Sequence, residues 1–437
     1  MQGIVQFIVL AIIFSWGVFT FNNVSSGPSV ADGCVASGCH EKLMDKSTVH
    51  EAATDDCETC HESNGNEHPD SQGDEFKLAE AVPDLCFQCH DGPEKGNTLH
   101  SPFEEGDCLT CHSPHSSNTP KLLLAKTPGD LCNTCHDVDD EEKSSRHPPM
   151  RRGKCVECHD PHQSAQPSLL KVGIPYLCFV CHKDIEKQEK EKSVHPPFEE
   201  ECMECHEPHV SDQSWLLQES VPDLCYTCHE DMKEELASSP VVHPAITERK
   251  SCLGCHLPHS SSHETLLRKK ERALCYQCHS DSRRSPDKIR VNIREKVENS
   301  KYVHPPVEDG CDVCHAPHAA QFDFLLPKRF PKGNYTKPKL SSFAFCLECH
   351  DPEFLQSPET DSATEFRNGR KNLHVVHVMK EKAMVCVDCH DVHGSDNEHL
   401  IAKKIRFGKW EMPLHYQTTE SGGSCRPACH EEKTYRR

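Results

Sequence analysis

All 30 cysteines of this 437-residue chain fall into C-x-x-C-H motifs or close variants, with none left over. The regular motifs pair Cys57 with Cys60, Cys86 with Cys89, Cys108 with Cys111, Cys132 with Cys135, Cys155 with Cys158, Cys178 with Cys181 and Cys202 with Cys205. They continue with Cys225 and Cys228, Cys252 and Cys255, Cys275 and Cys278, Cys311 and Cys314, Cys346 and Cys349, and Cys386 and Cys389. Two variants have longer spacers: CVASGCH with Cys34 and Cys39, and CRPACH with Cys425 and Cys429. C-x-x-C-H signals covalent attachment of c-type haem, in which two thiols bind the haem vinyl groups and the adjacent His lies under the iron. The proximal ligands are then His40, His61, His90, His112, His136, His159, His182, His206, His229, His256, His279, His315, His350, His390 and His430. A disulfide scaffold has no reason to place His after every second Cys, and zinc ribbons use paired C-x-x-C without it.

Composition agrees with an unusual core. Hydrophobic residues, Cys included, make up 35% and aromatics 6%. Such a chain stays disordered unless something else supplies apolar mass or cross-links. The expected fold is therefore haem-cored: mostly irregular coil with short α-helices at the motifs, negligible β-structure, and an elongated repeat array. A standard α/β enzyme and a membrane-spanning bundle are excluded. A net charge of -21 argues against a nucleic-acid partner, whose phosphates need Lys and Arg surfaces.

The motifs come in pairs. The first Cys of alternate motifs falls at 57, 108, 155, 202, 252, 311 and 386. Each unit opens with a His, often followed by Pro. It continues through C-x-x-C-H-x-P-H and a Leu pair, and ends on a second C-x-x-C-H. The remaining His supply candidate distal ligands. Those upstream of the first motif are His50, His100, His147, His195, His243, His304 and His377, with His374 competing for the last place. Those downstream are His68, His115, His162, His209, His259, His318 and His393. His415 is taken for the fifteenth; His263 and His399 have no register. His115 lies three residues after His112, on the same face of a turn, so it must serve a neighbouring haem. Pro after the upstream His favours a stiff, extended strap. The Leu pairs, such as Leu122-Leu123 and Leu216-Leu217, are expected to pack on porphyrin, as are Phe87, Phe179, Tyr226 and Tyr276.

Four segments follow: 1–31, a lone first site at 32–50, regular repeats at 50–280, and repeats with long insertions at 281–437. Residues 3–21 carry no charge, and small polar residues follow. This reads as a signal peptide cleaved near Ala31 or Ser26, or as an uncleaved anchor. Either exports the chain, to the periplasm or the cell surface. Residues 281–437 hold 25 Lys+Arg and 23 Asp+Glu, against 23 and 46 in residues 1–280. Two ends with different redox partners, or drift of solvated loops, would each produce that asymmetry.

The unit resembles the doubled-CXXCH multihaem cytochromes c of metal-reducing and related bacteria, over nearly all the chain after residue 33. The resemblance implies bis-His haems in alternating stacked and T-shaped pairs. It implies electron transfer across the cell envelope, with other redox proteins as partners: a quinol-linked inner-membrane donor and an outer-membrane or extracellular acceptor. Some similar proteins self-assemble into filaments. The expected function is an electron carrier with 15 haems of low potential, not an enzyme. A reductase with one open iron is the rival, although no C-x-x-C-K occurs.

Overall fold

The computed structural model describes residues 34–35, 39–66, 68, 75–138, 142–247, 251–281, 283–284, 289–408 and 410–437. The N-terminal signal or anchor segment lies outside them. No helix among the described residues is long and apolar enough to cross a membrane. The chain divides into two units, one of residues up to 140 with Pro148–Val172, the other Glu141–His147 with Gly173–Arg437. Neither boundary falls at residue 280, where the charge balance changes.

Local structure repeats with the sequence. Most C-x-x-C segments form a single turn in which the His that follows bonds back to the first Cys: His112 N donates to Cys108 O at 3.0 Å and His206 N to Cys202 O at 3.1 Å. Both thiols and the imidazole are thereby carried on one short, rigid element. The upstream His is extended, with φ -76° and ψ 123° at His195, as a residue before Pro should be. The prolines themselves do not prolong an extended strap. Pro196 and Pro197 open the helix Pro196–Glu200, because their fixed φ suits the first helical turn.

The expectation of negligible β-structure needs correction. Two residues before each upstream His pair antiparallel with the two residues after the downstream His of the next unit. Thr48–Val49 pairs with Ser116–Ser117, and Thr98–Leu99 with Gln163–Ser164. Ser145–Arg146 pairs with Val210–Ser211, and Ser193–Val194 with Ser260–Ser261. Val241–Val242 pairs with Ala319–Ala320, and Tyr302–Val303 with Gly394–Ser395. These ladders join consecutive repeats.

The Leu pair marks a turn. Lys121-Leu122, Ser168-Leu169, Trp215-Leu216, Thr265-Leu266, Phe324-Leu325 and His399-Leu400 all have φ between 52° and 65°. Two successive left-handed residues make a primed hairpin turn, normally the place of Asn-Gly. Here the turn folds the second Leu back to bridge the motif His, as in His206 with Leu217. A Ser hydroxyl clamps it: Ser211 donates to Leu217 O, and Ser261 to Leu267 O.

Apolar burial is uneven. Apart from Phe179 and Phe198, every buried hydrophobic residue among those described lies between Ala319 and Tyr435. Phe343, Leu355 and Val378 form a cluster there, with Leu340, Leu347, Phe354 and Met379 against it. The hairpin Lys404–Phe407 with Trp410–Pro413 and a three-stranded sheet, Gln417–Thr419, Gly422–Cys425 and Lys433–Arg436, complete this end.

Candidate functional site

Imidazoles face one another throughout both units. In the first, ring centroids are 5.8 Å apart for His40 and His68, 6.0 Å for His50 and His90, and 6.1 Å for His61 and His115. They are 5.9 Å apart both for His100 and His136 and for His112 and His162. In the second unit, separations are 6.2 Å for His147 with His182 and for His195 with His229. They are 6.1 Å for His206 with His259, 6.3 Å for His243 with His279 and 6.0 Å for His256 with His318. His304 with His350 and His315 with His393 lie at 6.1 and 6.2 Å.

The common spacing has a chemical meaning. Metal–imidazole bonds are about 2.0 Å, and a ring centre lies ~1.2 Å behind its nitrogen, so two imidazoles across one metal have centroids about 6.4 Å apart. Rings in direct contact would sit closer. Each facing pair joins a motif His to a non-motif His, and two rules cover the regular repeats. An upstream His faces the second motif of its own unit, and a downstream His faces the first motif of the preceding unit.

Hydrogen bonds orient the rings for ligation. The Nδ1 groups of His112, His159, His206, His256, His315 and His390 lie 2.7–3.0 Å from the carbonyls of Lys121, Ser168, Trp215, Thr265, Phe324 and His399. All six carbonyls belong to the left-handed turns. A carbonyl only accepts, so Nδ1 carries the proton and Nε2 keeps a free lone pair. Upstream His use another acceptor, the carbonyl just before a downstream His. His50 Nδ1 donates to Pro114 O and His100 Nδ1 to Pro161 O, both at 2.9 Å. His147, His195 and His304 bond in the same way to Pro208, Pro258 and Val392. Val392 shows that the carbonyl, not the proline ring, matters. The backbone N–H groups of His147 and His195 donate to His209 O and His259 O, both at 2.9 Å.

Burial keeps the ligands neutral. It lowers the proton affinity of His115, His259 and His318, and brings His393 down to about 4. A neutral imidazole is the form that binds metal. Phe198, 6% exposed, packs 5.0 Å from His259, and Phe103 5.1 Å from His162. Neither stood out in the sequence, although both follow the upstream His at a fixed offset.

The thiols also come together in order. Hydrogen-bonding neighbours are Cys34 and Cys57, Cys86 and Cys108, Cys132 and Cys155, Cys178 and Cys202, Cys225 and Cys252, Cys275 and Cys311, and Cys346 and Cys386. Each contact links the first Cys of one motif to the first Cys of the next, across the boundary between units. Sharing a proton with Cys225 lowers Cys252 to about 6. One contact depends on glycine. A Cβ on Gly129 would lie 2.4 Å from Gly153 Cα, and Gly153 has φ 65°. That close approach sets Cys132 beside Cys155.

The two thiols of a motif differ in exposure. The second Cys of a second motif is exposed, at Cys89, Cys135, Cys181, Cys228, Cys278 and Cys349. The second Cys of a first motif is half-buried, as at Cys60 and Cys158. The cause is direction. The C-x-x-C turn, closed by Cys60 N on Cys57 O and Cys158 N on Cys155 O, points its two side chains apart, so they meet different neighbours. Second thiols look within their own unit. After burial, the nearby Cys135, Cys228 and Cys349 raise Cys111, Cys205 and Cys314, and Cys60 adds to the rise at Cys86. Cys275 and Cys278 together act on Cys255 in the same way. First thiols thus link successive units, and second thiols link the two motifs of one unit. The thioether role of each cysteine rests on the motif.

The last unit departs from the sequence reading. The ring facing His390 is His374, at 6.5 Å. Its proton affinity is lowered to about 4 by burial. His377, one helical turn on, is near enough to His430 for the two charges to oppose each other, and its Nδ1 donates to Leu373 O at 2.7 Å. His430 Nδ1 lies 2.6 Å from Glu431 O. His415, taken from the sequence as the fifteenth distal ligand, is exposed, has φ 44°, and is not among the facing imidazoles described. In the regular repeats the ring opposite a first-motif His is the downstream His of the next unit, as for His61 with His115 and His206 with His259. The helix Leu373–Val378 fills that place, carrying two His three residues apart on one face. The spacing in NLHVVH was the available signal.

The donor set fits haem c, with paired thiols, a proximal imidazole on the same turn and an opposed imidazole at metal-bridging distance. The family described as "Doubled CXXCH motif" matches at residues 50–95, 100–141, 147–187, 195–234, 243–284, 304–354 and 377–407. No curated protein matches.

Proposed function

The chain belongs to the doubled-CXXCH family of multihaem c-type cytochromes, and on that premise we propose that it carries fifteen haems and conducts and stores electrons in the cell envelope. Bound haem supplies one-electron exchange between ferric and ferrous iron. The chain's own residues do the rest. The paired thiols would anchor each haem covalently, and the opposed imidazoles would bind its iron. Carbonyls of the left-handed turns and of the residues before the downstream His hold the Nδ1 protons. The porphyrins fill the space that apolar side chains leave empty in the repeats.

The observation that carries this reading is the set of facing imidazoles about 6 Å apart, one from a motif and one from outside it. Imidazoles on both sides of a bound iron would leave no position for a substrate, so transfer would be outer-sphere, and bis-His ligation would favour low potentials. Within each of the two structural units, the thiol contacts between neighbouring motifs support closely spaced porphyrin edges. His374 supplies a ligand within the chain at the last first-motif site, which favours a self-sufficient carrier over a subunit borrowing a ligand from its neighbour. Export, an N-terminal anchor or cleaved leader, a quinol-linked donor and an extracellular acceptor complete the proposal.

Intact mass of natively purified protein tests the stoichiometry. Fifteen haems add roughly 9 kDa to the processed chain; thirteen would leave the variant sites at Cys34 and Cys425 empty. Electron paramagnetic resonance of the oxidised protein should show only low-spin ferric signals. A high-spin signal near one haem per molecule would favour a reductase.

A further inference from the structure

His374 differs from the other described ligands in what holds its Nδ1. The other Nδ1 contacts with an assigned acceptor are to backbone carbonyls, apart from that of His68, which lies 3.6 Å from a carboxylate oxygen of Glu75. For His374 the partner is a side-chain hydroxyl, Thr364 Oγ1, at 2.9 Å. We infer that Thr364 is a positioning residue that selects the ligating tautomer of His374 and thereby sets the potential of the haem on His390. The inference rests on reading His374 and His390 as the two axial ligands of one iron.

A hydroxyl can donate as well as accept. If Thr364 donated to Nδ1, the His374 proton would sit on Nε2, toward His390, and the ring could not bind iron. The surroundings favour the other arrangement. Thr364 Oγ1 already accepts the backbone N–H of Phe366 at 3.1 Å, which fixes the hydroxyl oxygen in place and leaves it a second lone pair for an Nδ1 proton, the pairing that iron on Nε2 requires. The ring is walled by the edges of Phe354 at 5.0 Å and Phe366 at 5.2 Å. Water is therefore poorly placed to replace the hydroxyl. Asn372, fully buried, fixes the start of the helix by accepting His374 N at 3.0 Å and donating to Phe354 O and Ser357 O. The ligand's backbone and its ring are thus held independently.

An Nδ1–H···O bond makes an imidazole a stronger electron donor and stabilises ferric iron. Removing it raises the potential, and a stronger acceptor lowers it. The test uses the full-length haem-loaded protein, with redox titration and electron paramagnetic resonance as readouts. Thr364→Val should shift the midpoint of one haem upward and change the g-values of one low-spin signal, and Thr364→Ser should restore both. Thr364→Asp should shift the same midpoint downward. Should the valine variant not accumulate, the serine and aspartate pair still decides, because a purely structural role does not reverse sign with acceptor strength. Unchanged midpoints in the valine or aspartate variant, together with one high-spin haem in His374→Ala, would overturn the role of Thr364 and leave the ligand assignment standing. A wholly low-spin His374→Ala spectrum would instead remove the ligand assignment itself.

Discussion

The repeats from His195 to His279 and the C-terminal end from Ala319 to Tyr435 belong to the same structural unit, yet they are held together differently. Among the described residues, the repeats contribute Phe198 alone to the buried apolar set, while the C-terminal end contributes Phe343, Leu355, Val378, Val385, Ile405, Leu414 and Tyr435. Strands in the repeats are two residues long and join neighbours. Those at the end reach four residues and form a hairpin and a sheet. The contrast teaches that a polypeptide needs its own core only where the repetition stops. Inside the array, each unit finds its partners in the next one and, on the reading proposed above, in the porphyrins. At the C-terminal end, apolar side chains supply the burial instead.

The largest expected effect breaks the two regions apart. In the full chain produced without haem, amides from 195 to 279 should exchange with solvent almost freely, because the repeats bury too little apolar surface alone. Amides of the hairpin and sheet between 404 and 436 should stay protected. Equal protection in both regions would show that the repeats do not depend on haem. Next, Phe343→Ala should destabilise the C-terminal end by about 3–5 kcal/mol, read as a lower denaturation midpoint. The same measurement on Leu124→Ala, at a residue already 56% exposed, should move it by less than about 0.5 kcal/mol.

A smaller effect separates two helix caps of the same residue type. Asn372→Ala removes a fully buried side chain that accepts two N–H groups and leaves two carbonyls unpaired, costing about 2–3 kcal/mol. Asn292→Ala removes an exposed cap on Glu295 N and should cost about 1 kcal/mol. Near-equal losses would mean that Asn372 does nothing beyond ordinary capping. The smallest effect concerns the x-P-H segment. Pro258→Ala keeps the carbonyl that receives His195, so it should cost less than about 1 kcal/mol and leave the low-spin spectrum intact. A new high-spin signal would show that the ring itself positions the ligand.

Much of this was legible in the sequence, for stated reasons. The C-x-x-C-H spacing is local chemistry, and it alone names each thiol pair with the imidazole beside it. The offset of three residues between His112 and His115 was enough to show that the second must serve another site. What stayed hidden was carried by the backbone. Two-residue strands have no periodicity to detect. Trp215 and Phe324 occupy left-handed positions that side chains of their size rarely take, so the Leu pairs read as packing residues and not as turns. Carbonyl acceptors leave no trace in residue identity, which is why the proline of x-P-H drew attention that belongs to its C=O. The unequal exposure of Cys60 and Cys89 was hidden for a similar reason, since an identical motif says nothing of which neighbour covers it. Counting His assigns supply and demand without geometry, so His374 and His377 compete for one place and His415 satisfies the count for the fifteenth.

The strand ladders between successive units carry a consequence for how such a molecule changes size. Within the regular repeats, each unit offers one downstream His to the unit before it and requires one from the unit after it. A duplicated unit inserted among them therefore brings its own offer and its own requirement, and no other residue has to adapt. A deletion is equally neutral when it removes one whole period. Length is thus a quantity that the repeat rule leaves open, whereas the helix holding His374 and His377 answers to one site, that of His390, and follows no period.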